Sequence, residues 1–157
     1  DRVGRSRNFC AIKESSGDLG QLHLLARRFP NIALSCGWDD LALEFFAWGA
    51  PSWVCAGSNF LPAEHVALYE ACVVEGDFVK GRKIMSAMLP LMNNLDEGNF
   101  VQKIKYGAEL TGLTAGNPRR PLLPIDADVK ARFADVVATL KAEVAAVTKQ
   151  PVAEPVK

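Results

Sequence analysis

The chain has 157 residues, 49% of them hydrophobic, and its 18 basic side chains balance its 18 acidic ones. This profile is typical of a soluble globular protein, and the absence of a basic run interleaved with aromatic residues argues against a nucleic acid partner. No stretch approaches the ~18 uninterrupted apolar residues of a membrane helix, and the first residues lack the apolar core of a signal peptide, so we expect a cytoplasmic protein.

The first structural unit predicted along the chain is a strand, a loop and a helix. Residues 9–12 form a short apolar run that leads into Lys13 and a cluster of turn-forming residues. Asp18 is placed to cap a helix, because leucines recur behind it at helical spacing until Pro30 interrupts the pattern. The chain thus begins with one β-loop-α unit.

Two further units of the same kind follow. Residues 32–36 predict a second strand, Asp39 or Asp40 is expected to cap the next helix, and Gly49 closes it. Residues 53–56 predict a third strand, and Pro62 occupies a position suited to the first turn of a third helix. Three such units at short intervals indicate parallel strands joined by helical crossovers.

Everything after Gly76 is predicted to be helical apart from one loop. We expect a helix from residue 77 or 78 to about 95 that contains Pro90, a second over residues 100–110, and a long amphipathic helix capped by Asp126. These patterns divide the chain into residues 1–76, a helical region over residues 77–149, and a tail over residues 150–157 that we expect to be frayed. Three parallel strands leave open edges, so we expect further strands to complete the sheet.

Lys13 is the residue with the clearest potential for chemistry. It ends the first predicted strand, and active sites of β/α barrels form at that end of the strands. Alternation along the strand places Phe9, Ala11 and Lys13 on one face, so we expect the lysine to be buried inside the barrel. Burial of an ammonium group favours the neutral amine, and only the neutral amine attacks a ketone to form an imine. An ordinary solvated lysine is the alternative interpretation.

Metal and redox sites find little support in the sequence. The four cysteines are far apart and lack paired spacing, so we expect buried free thiols. The two histidines, His23 and His65, lie on predicted helices, where surface or second-layer positions are expected. Neither a metal nor a cofactor is therefore expected.

Several segments in the right order resemble the dihydrodipicolinate synthase and N-acetylneuraminate lyase family of Schiff-base lyases. Residues 9–18 resemble its sixth strand with the imine lysine, residues 34–40 its seventh strand and glycine turn, and residues 49–59 its eighth strand. Residues 104–106 and 120–122 resemble features of its helical C-terminal region. The resemblance implies an α/β fold, namely strands 6–8 of a (β/α)8 TIM barrel followed by a C-terminal helical region.

The resemblance also implies roles for individual residues. Lys13 corresponds to the Schiff-base lysine, Gly37 borders the substrate through its backbone, and Val54 lines the pocket beside the imine. The alternative for Gly37 is an ordinary turn glycine, and the alternative for Val54 is a side chain that packs in the core. Ser58 and Asn59 are expected to organise the loop after the last strand.

Other residues near these motifs are expected to differ from the family or to serve the fold. Glu14 either tunes the lysine or pairs with a helix, and we favour the helix. Trp38 stands where synthases of the family commonly carry an acidic residue, and this chain has Pro51 and Ser52 where many members have glycine. These departures leave the imine chemistry intact but make the second substrate uncertain.

The expected function is a lyase that acts on pyruvate or a related 2-oxo acid, similar to 4-hydroxy-tetrahydrodipicolinate synthase. Alternatives within the family are an aldolase or dehydratase of 2-keto-3-deoxy sugar acids and a pyrroline-4-hydroxy-2-carboxylate deaminase. A non-catalytic oligomerisation or regulatory element is an alternative of another class. The resemblance further implies a homotetramer or a dimer.

Overall fold

The computed structural model describes residues 6–149. The predicted frayed tail, residues 150–157, lies outside this part of the chain. The strands are β1 (Ala11–Glu14), β2 (Ala33–Cys36) and β3 (Ser52–Trp53). The helices are α1 (Leu19–Arg28), α2 (Ala42–Ala47), α3 (Pro62–Tyr69), α4 (Phe78–Asp96), α5 (Phe100–Leu110) and α6 (Ala127–Thr148). Short 3-10 helices cover Asp39–Leu41 and Gly57–Asn59, and a π-helical turn, Glu70–Val74, follows α3.

The three strands form a parallel sheet in the order β1, β2, β3, as the repeated units predict. In this sheet Lys13 pairs with Ser35, and Cys36 pairs with Trp53. β1 begins two residues later than predicted, because the Phe9 amide donates to the Ser6 carbonyl in a turn instead of joining the ladder. The consequence is that Lys13 lies inside the paired strand, one residue from its carboxyl end.

Aspartates begin three of the helices through hydrogen bonds to their first turns. The Asp18 carboxylate accepts from the Gly20 amide at 2.7 Å, and Asp77 and Asp126 begin α4 and α6 in the same way. Each bond satisfies a backbone donor that the helix itself leaves unpaired. The predicted starts at Asp18 and Asp126 are confirmed, and α4 continues through Pro90.

One hydrophobic core joins the sheet to the helical region. Helix α4 lies at its centre and makes its most extensive contacts with α6, while also packing against α2, α3 and α5. The largest fully buried side chains are Phe45, Phe133, Leu22, Leu61, Leu68, Ile84, Met88, Leu91, Leu140 and Cys36. Both predicted regions contribute to this cluster, so the helices after residue 76 pack in the same core as the sheet.

One face and edge of the small sheet remain uncovered in the described part of the chain. Phe9, Ile12 and Val54 are exposed, Val54 by 55%. β1 pairs only with β2 among residues 6–149, so its other edge has no strand beside it. None of the helices in the described residues has the length and apolar character needed to cross a bilayer.

Candidate active site

A pocket at the carboxyl ends of the strands brings the three predicted site residues together. Lys13 comes from β1, Gly37 from the turn after β2, and Val54 from the segment after β3. The cavity has a volume of about 380 Å³. Because parallel strands present their carboxyl ends at one edge, residues far apart in sequence converge there.

Lys13 lines this pocket but is exposed, so the prediction that it is buried is wrong for the described chain. The physical reason is that, within residues 6–149, no further strand lies beside β1 to cover the side chains on its faces. Within residues 6–149 its ammonium group has neither a hydrogen-bond acceptor nor an ion-pair partner. The described part of the chain thus shows an unpaired lysine side chain at the wall of the pocket.

Gly37 provides the space that the lysine side chain occupies. A Cβ atom at this position would lie 2.6 Å from Cε of Lys13 and 2.8 Å from the Glu14 carbonyl oxygen, and closer still to the Ser15 hydroxyl. The φ angle of Gly37 lies outside the left-handed region, so the lack of room for a Cβ atom is the reason that glycine is required here. Close packing of the β2 turn against the lysine is therefore the local reason for a glycine here.

The segment after β3 forms a second side of the pocket. Its Val54 amide donates to the Cys36 carbonyl at 2.9 Å, which extends the pairing of β3 with β2 by one bond. Ser58 donates through its hydroxyl to the Cys55 carbonyl, and Asn59 donates through its amide to the Ala56 carbonyl, both at 2.9 Å. The prediction that Ser58 and Asn59 organise this loop is confirmed.

Asp39 has a different role from the helix cap that we predicted for it or for Asp40. Both residues lie within a 3-10 helix, and no side chain caps that helix or α2. One carboxylate oxygen of Asp39 accepts from the indole nitrogen of Trp53, and the other accepts from the Ala56 amide, each at 3.0 Å. Asp39 therefore joins two loops of the pocket because its partners lie across the sheet rather than on its own helix.

Trp38 also lines the pocket, at the position where the sequence departs from the family pattern. Its indole ring lies against Gly17 in the loop after β1, where an added Cβ atom would come within 3.1 Å of the ring. The side chain is 39% exposed and so presents part of its aromatic surface to solvent. This aromatic surface can contact a flat or apolar part of a ligand.

The helical region supplies the remaining side of the pocket, a contribution that we did not predict. Met92, Leu95 and Asp96 of α4 and Phe100 of α5 line the cavity. The three α4 residues are spaced at three and four positions, which places them on one face of the helix. That spacing was a signal in the sequence, but it does not reveal which partner the face meets.

Lys103 stabilises the corner between α4 and α5. Its side chain is buried and donates a hydrogen bond to the Asn94 carbonyl near the carboxyl end of α4. Burial lowers the pKa of this lysine. A cation at the end of a helix is favourable because the last carbonyl groups carry partial negative charge, so this contact fixes the corner that carries Asp96 and Phe100.

Glu14 does not pair with a helix, contrary to the interpretation that we favoured. Its side chain is only 7% exposed, and one carboxylate oxygen accepts from the Ser16 amide at 2.9 Å. The other oxygen is buried without a hydrogen-bond partner in the described residues. The residue turns to the face opposite Lys13, as alternation along a strand requires, and therefore serves the loop after β1.

The four cysteines are free thiols, as expected, but their burial differs from the prediction. Cys36 and Cys72 are buried, and burial raises the pKa of Cys36 to about 12 and that of Cys72 to about 11. Cys55 is partly buried, and Cys10 is exposed, because it lies beside the uncovered edge of β1. Thiols with raised pKa values remain protonated and are poor nucleophiles.

The charged groups near the pocket are mainly acidic. Burial raises the pKa of Asp40, with a further contribution from the nearby carboxylate of Asp96. Among residues 6–149 no group of three or more histidine, cysteine, aspartate or glutamate side chains is arranged to hold a metal ion. Lys13 is the one cationic residue among those that line the described pocket.

His65 is buried behind the loop after β3, which agrees with the second-layer alternative expected for it and not with a surface position. Its Nδ1 atom lies 2.7 Å from the Leu61 carbonyl, and its ring packs on Trp53 with 5.0 Å between centroids. Burial lowers the pKa of the imidazole. A neutral imidazole thus forms part of the support beneath the β3 loop.

Sequence comparison matches residues 1–141 to the family model described as the dihydrodipicolinate synthetase family. The chain is 37% identical over 122 residues to a 4-hydroxy-tetrahydrodipicolinate synthase of Exiguobacterium sibiricum, which covers 77% of this chain and 41% of that protein. It is 29% identical over 141 residues to the enzyme of the same name from Archaeoglobus fulgidus, covering 89% of this chain and 48% of the relative.

The fold agrees with these relatives. The structure matches that of the 4-hydroxy-tetrahydrodipicolinate synthase from Methylacidiphilum fumariolicum with a TM-score of 0.83 and 26% identity, over 93% of this chain and 49% of that one. The chain therefore spans about half the length of the relatives that it matches. With nine-tenths of its length matched by the family model and its α/β fold shared, this chain belongs to the dihydrodipicolinate synthetase family.

Proposed function

We propose that this chain carries the imine-forming part of a lyase that acts on pyruvate or a related 2-oxo acid, in a reaction like that of 4-hydroxy-tetrahydrodipicolinate synthase. The observation that carries the proposal is the convergence of Lys13, Gly37 and Val54 on one pocket. Further support comes from relatives of this name in two organisms.

Lys13 is the proposed nucleophile. Its nitrogen attacks C2 of the 2-oxo acid, the carbonyl oxygen leaves as water, and the resulting protonated imine accepts electrons from a neighbouring bond. The lack of an ion-pair partner within residues 6–149 supports this role, because a lysine held by a carboxylate would be less able to attack. No cofactor takes part in these steps.

Gly37 and Val54 are the proposed substrate contacts. Gly37 has no side chain to block the approach to Lys13, so its backbone can border the bound acid. Val54 presents an exposed apolar side chain to the same cavity. An apolar group beside the imine excludes water there, which strengthens nearby electrostatic interactions and protects the intermediate from hydrolysis.

The complete site is proposed to include more than the described pocket. The relatives are about twice as long as the matched segment, and strands β1 to β3 are proposed to be the sixth to eighth of a barrel. Further strands beside β1 would cover Phe9 and Ile12 and shield Lys13 from solvent. The assembly is proposed to be a homodimer or homotetramer.

Trp38 favours the two alternative candidates within the family. An indole surface in the pocket suits a flat or ring-shaped second substrate better than it suits a short charged chain. The candidates are a pyrroline-4-hydroxy-2-carboxylate deaminase and an aldolase or dehydratase of 2-keto-3-deoxy sugar acids.

The exposure of Lys13 favours a candidate of another class, a non-catalytic oligomerisation or regulatory element.

A substrate panel distinguishes these candidates. The full-length protein is incubated with several 2-oxo acids, each alone and with an aldehyde acceptor, and with hydroxyproline-derived pyrrolines, and the products are identified by mass spectrometry. A Lys13→Met variant serves as the control for lysine-dependent turnover. Cleavage of a 2-keto-3-deoxy sugar acid to pyruvate supports the aldolase, and loss of water from it supports the dehydratase. Condensation of pyruvate with an aldehyde, without cleavage of these sugar acids, supports the synthase, and release of ammonia from a pyrroline supports the deaminase. The absence of any lysine-dependent product rejects the enzyme proposal.

A further inference from the structure

We propose that Asp39 is a positioning residue for the imine chemistry of Lys13, because it holds the loop after β3 in place as one side of the pocket. The inference rests on the function proposed above and adds a residue to it. Asp39 lines the same cavity as Lys13, and both of its carboxylate oxygens are engaged within the protein.

The backbone alone fixes the loop after β3 weakly. β3 is only two residues long, and its pairing with β2 ends at the bond from the Val54 amide to the Cys36 carbonyl. The pocket nevertheless continues through Cys55 and Ala56. Beyond Val54, the bond from the Ala56 amide to Asp39 connects this loop to the turn after β2, and the bond from the Trp53 indole to the same carboxylate lies just before Val54.

The two contacts of Asp39 reach across a long stretch of sequence. Its bonds to the Trp53 indole and to the Ala56 amide join residues that are 14 and 17 positions apart, and both are 3.0 Å long. Hydrogen bonds to a carboxylate are roughly twice as strong as those between neutral groups. The ends of β2 and β3 are therefore held at a fixed separation on the two sides of Val54.

Trp53 transmits this restraint to the hydrophobic core. Its ring packs on His65 and meets the ring of Phe46 edge-on, with 6.1 Å between the latter centroids. Gly57 lies directly against the His65 ring, where an added Cβ atom would be 2.6 Å from it. Asp39 thus connects the pocket loop to rigid, close-packed side chains rather than to another mobile loop.

The chemistry of Asp39 distinguishes positioning from proton transfer. Each of its oxygens already accepts one hydrogen bond from a fixed donor, so the geometry favours a carboxylate that holds the loop. Asparagine at this position keeps one acceptor oxygen and replaces the other by a donor, which cannot accept from the remaining N–H group. Alanine removes both acceptors, so the two substitutions form a graded series.

The experiment measures imine formation in the full-length protein with pyruvate and borohydride, for wild type, Asp39→Asn, Asp39→Ala, Trp53→Phe and the double variant Asp39→Ala with Trp53→Phe. The rate of trapping and the final adduct per chain are recorded, together with the KM for pyruvate, kcat and thermal unfolding. Asp135→Asn, an equal change of charge at an exposed position on α6, is the control.

The trapping rate is expected to fall by about tenfold to a hundredfold in Asp39→Ala, because small misplacements of reacting groups have effects of that size. Asp39→Asn should lie between that variant and wild type, and the double variant should be little slower than Asp39→Ala, since the two residues share one interaction. The adduct at the end of the reaction should still reach one per folded chain.

Two results overturn the inference and are distinguishable from each other. If wild type forms the adduct and the Asp39 variants react at its rate per folded chain, Asp39 serves only stability, even when the unfolding temperature falls. If wild type forms no adduct with pyruvate or the other 2-oxo acids, the proposed function is rejected, and the role of Asp39 in it is rejected as well.

Discussion

Replacement of Gly37 by alanine tests the packing of the β2 turn against the lysine. The added Cβ would lie 2.6 Å from Cε of Lys13, whereas an ordinary contact begins at 3.4 Å, so the side chain has to retreat by about 0.8 Å. The Glu14 carbonyl, at 2.8 Å, belongs to the backbone of β1 and yields less readily. The strand and its lysine are therefore both displaced.

The size of the effect follows from these distances. Overpacking of this kind costs about 1–3 kcal/mol of the free energy of unfolding. A displacement approaching 1 Å at a reacting nitrogen lowers its rate by up to about a hundredfold. For Gly37→Ala we therefore expect imine formation with pyruvate to slow by about tenfold to a hundredfold per folded chain, measured by borohydride trapping.

A matched variant separates overpacking from displacement of the lysine. In Gly81→Ala the added Cβ would meet the sulfur of Cys72 inside the core, and neither residue lines the pocket. This control should lose similar stability in denaturant unfolding while each folded chain reacts at the wild-type rate. Equal trapping rates for Gly37→Ala and wild type would refute the proposed contact between the turn and the lysine.

Two further predictions concern stability. Burial lowers the pKa of His65 below its ordinary value of 6.5, so as the pH falls the unfolded chain binds a proton before the folded chain does. The contribution of His65 to the free energy of unfolding should therefore be constant above about pH 6.5 and decrease below it. His65→Asn should reduce this slope in denaturant titrations at neutral and mildly acidic pH, and an unchanged slope would assign it to another group. Phe133 is fully buried between Phe60 and Tyr106, so Phe133→Ala should cost about 3–5 kcal/mol of the free energy of unfolding, and a loss below about 1 kcal/mol would contradict that packing.

Local signals in the sequence were sufficient for most of the secondary structure. Asp18 and Asp126 are followed by apolar residues at helical spacing, and both begin helices through side-chain hydrogen bonds. Pro62 occupies the start of α3, where its missing N–H group costs nothing. These features depend on neighbours within one turn, which is why the sequence alone reveals them.

Features that depend on distant partners were harder to predict. Asp39 has the sequence context of a helix cap, but its acceptors meet donors 14 and 17 residues away. The face of α4 with Met92, Leu95 and Asp96 was recognisable as a helix face, but nothing local indicates that it meets the pocket. Contacts of this kind are determined by how the helices pack around the sheet.

The candidate site was predicted in part. The resemblance assigned Lys13, Gly37 and Val54 to one site, and the fold brings them to one cavity, while their chemical roles remain proposals. The burial of Lys13 could not be judged from the alternation along β1, because burial also depends on what covers the strand from outside. The cytoplasmic location and the oligomeric state likewise remain predictions.

Identification of the modified residue tests the central claim most directly. The full-length protein is reduced with borohydride in the presence of pyruvate, digested, and mapped by mass spectrometry, with Lys13→Met as the control. The peptide containing Lys13 should gain the mass of pyruvic acid less one oxygen atom, and the control should gain nothing. An unmodified Lys13 peptide, or an adduct on another lysine that persists in the control, would contradict the proposed chemistry.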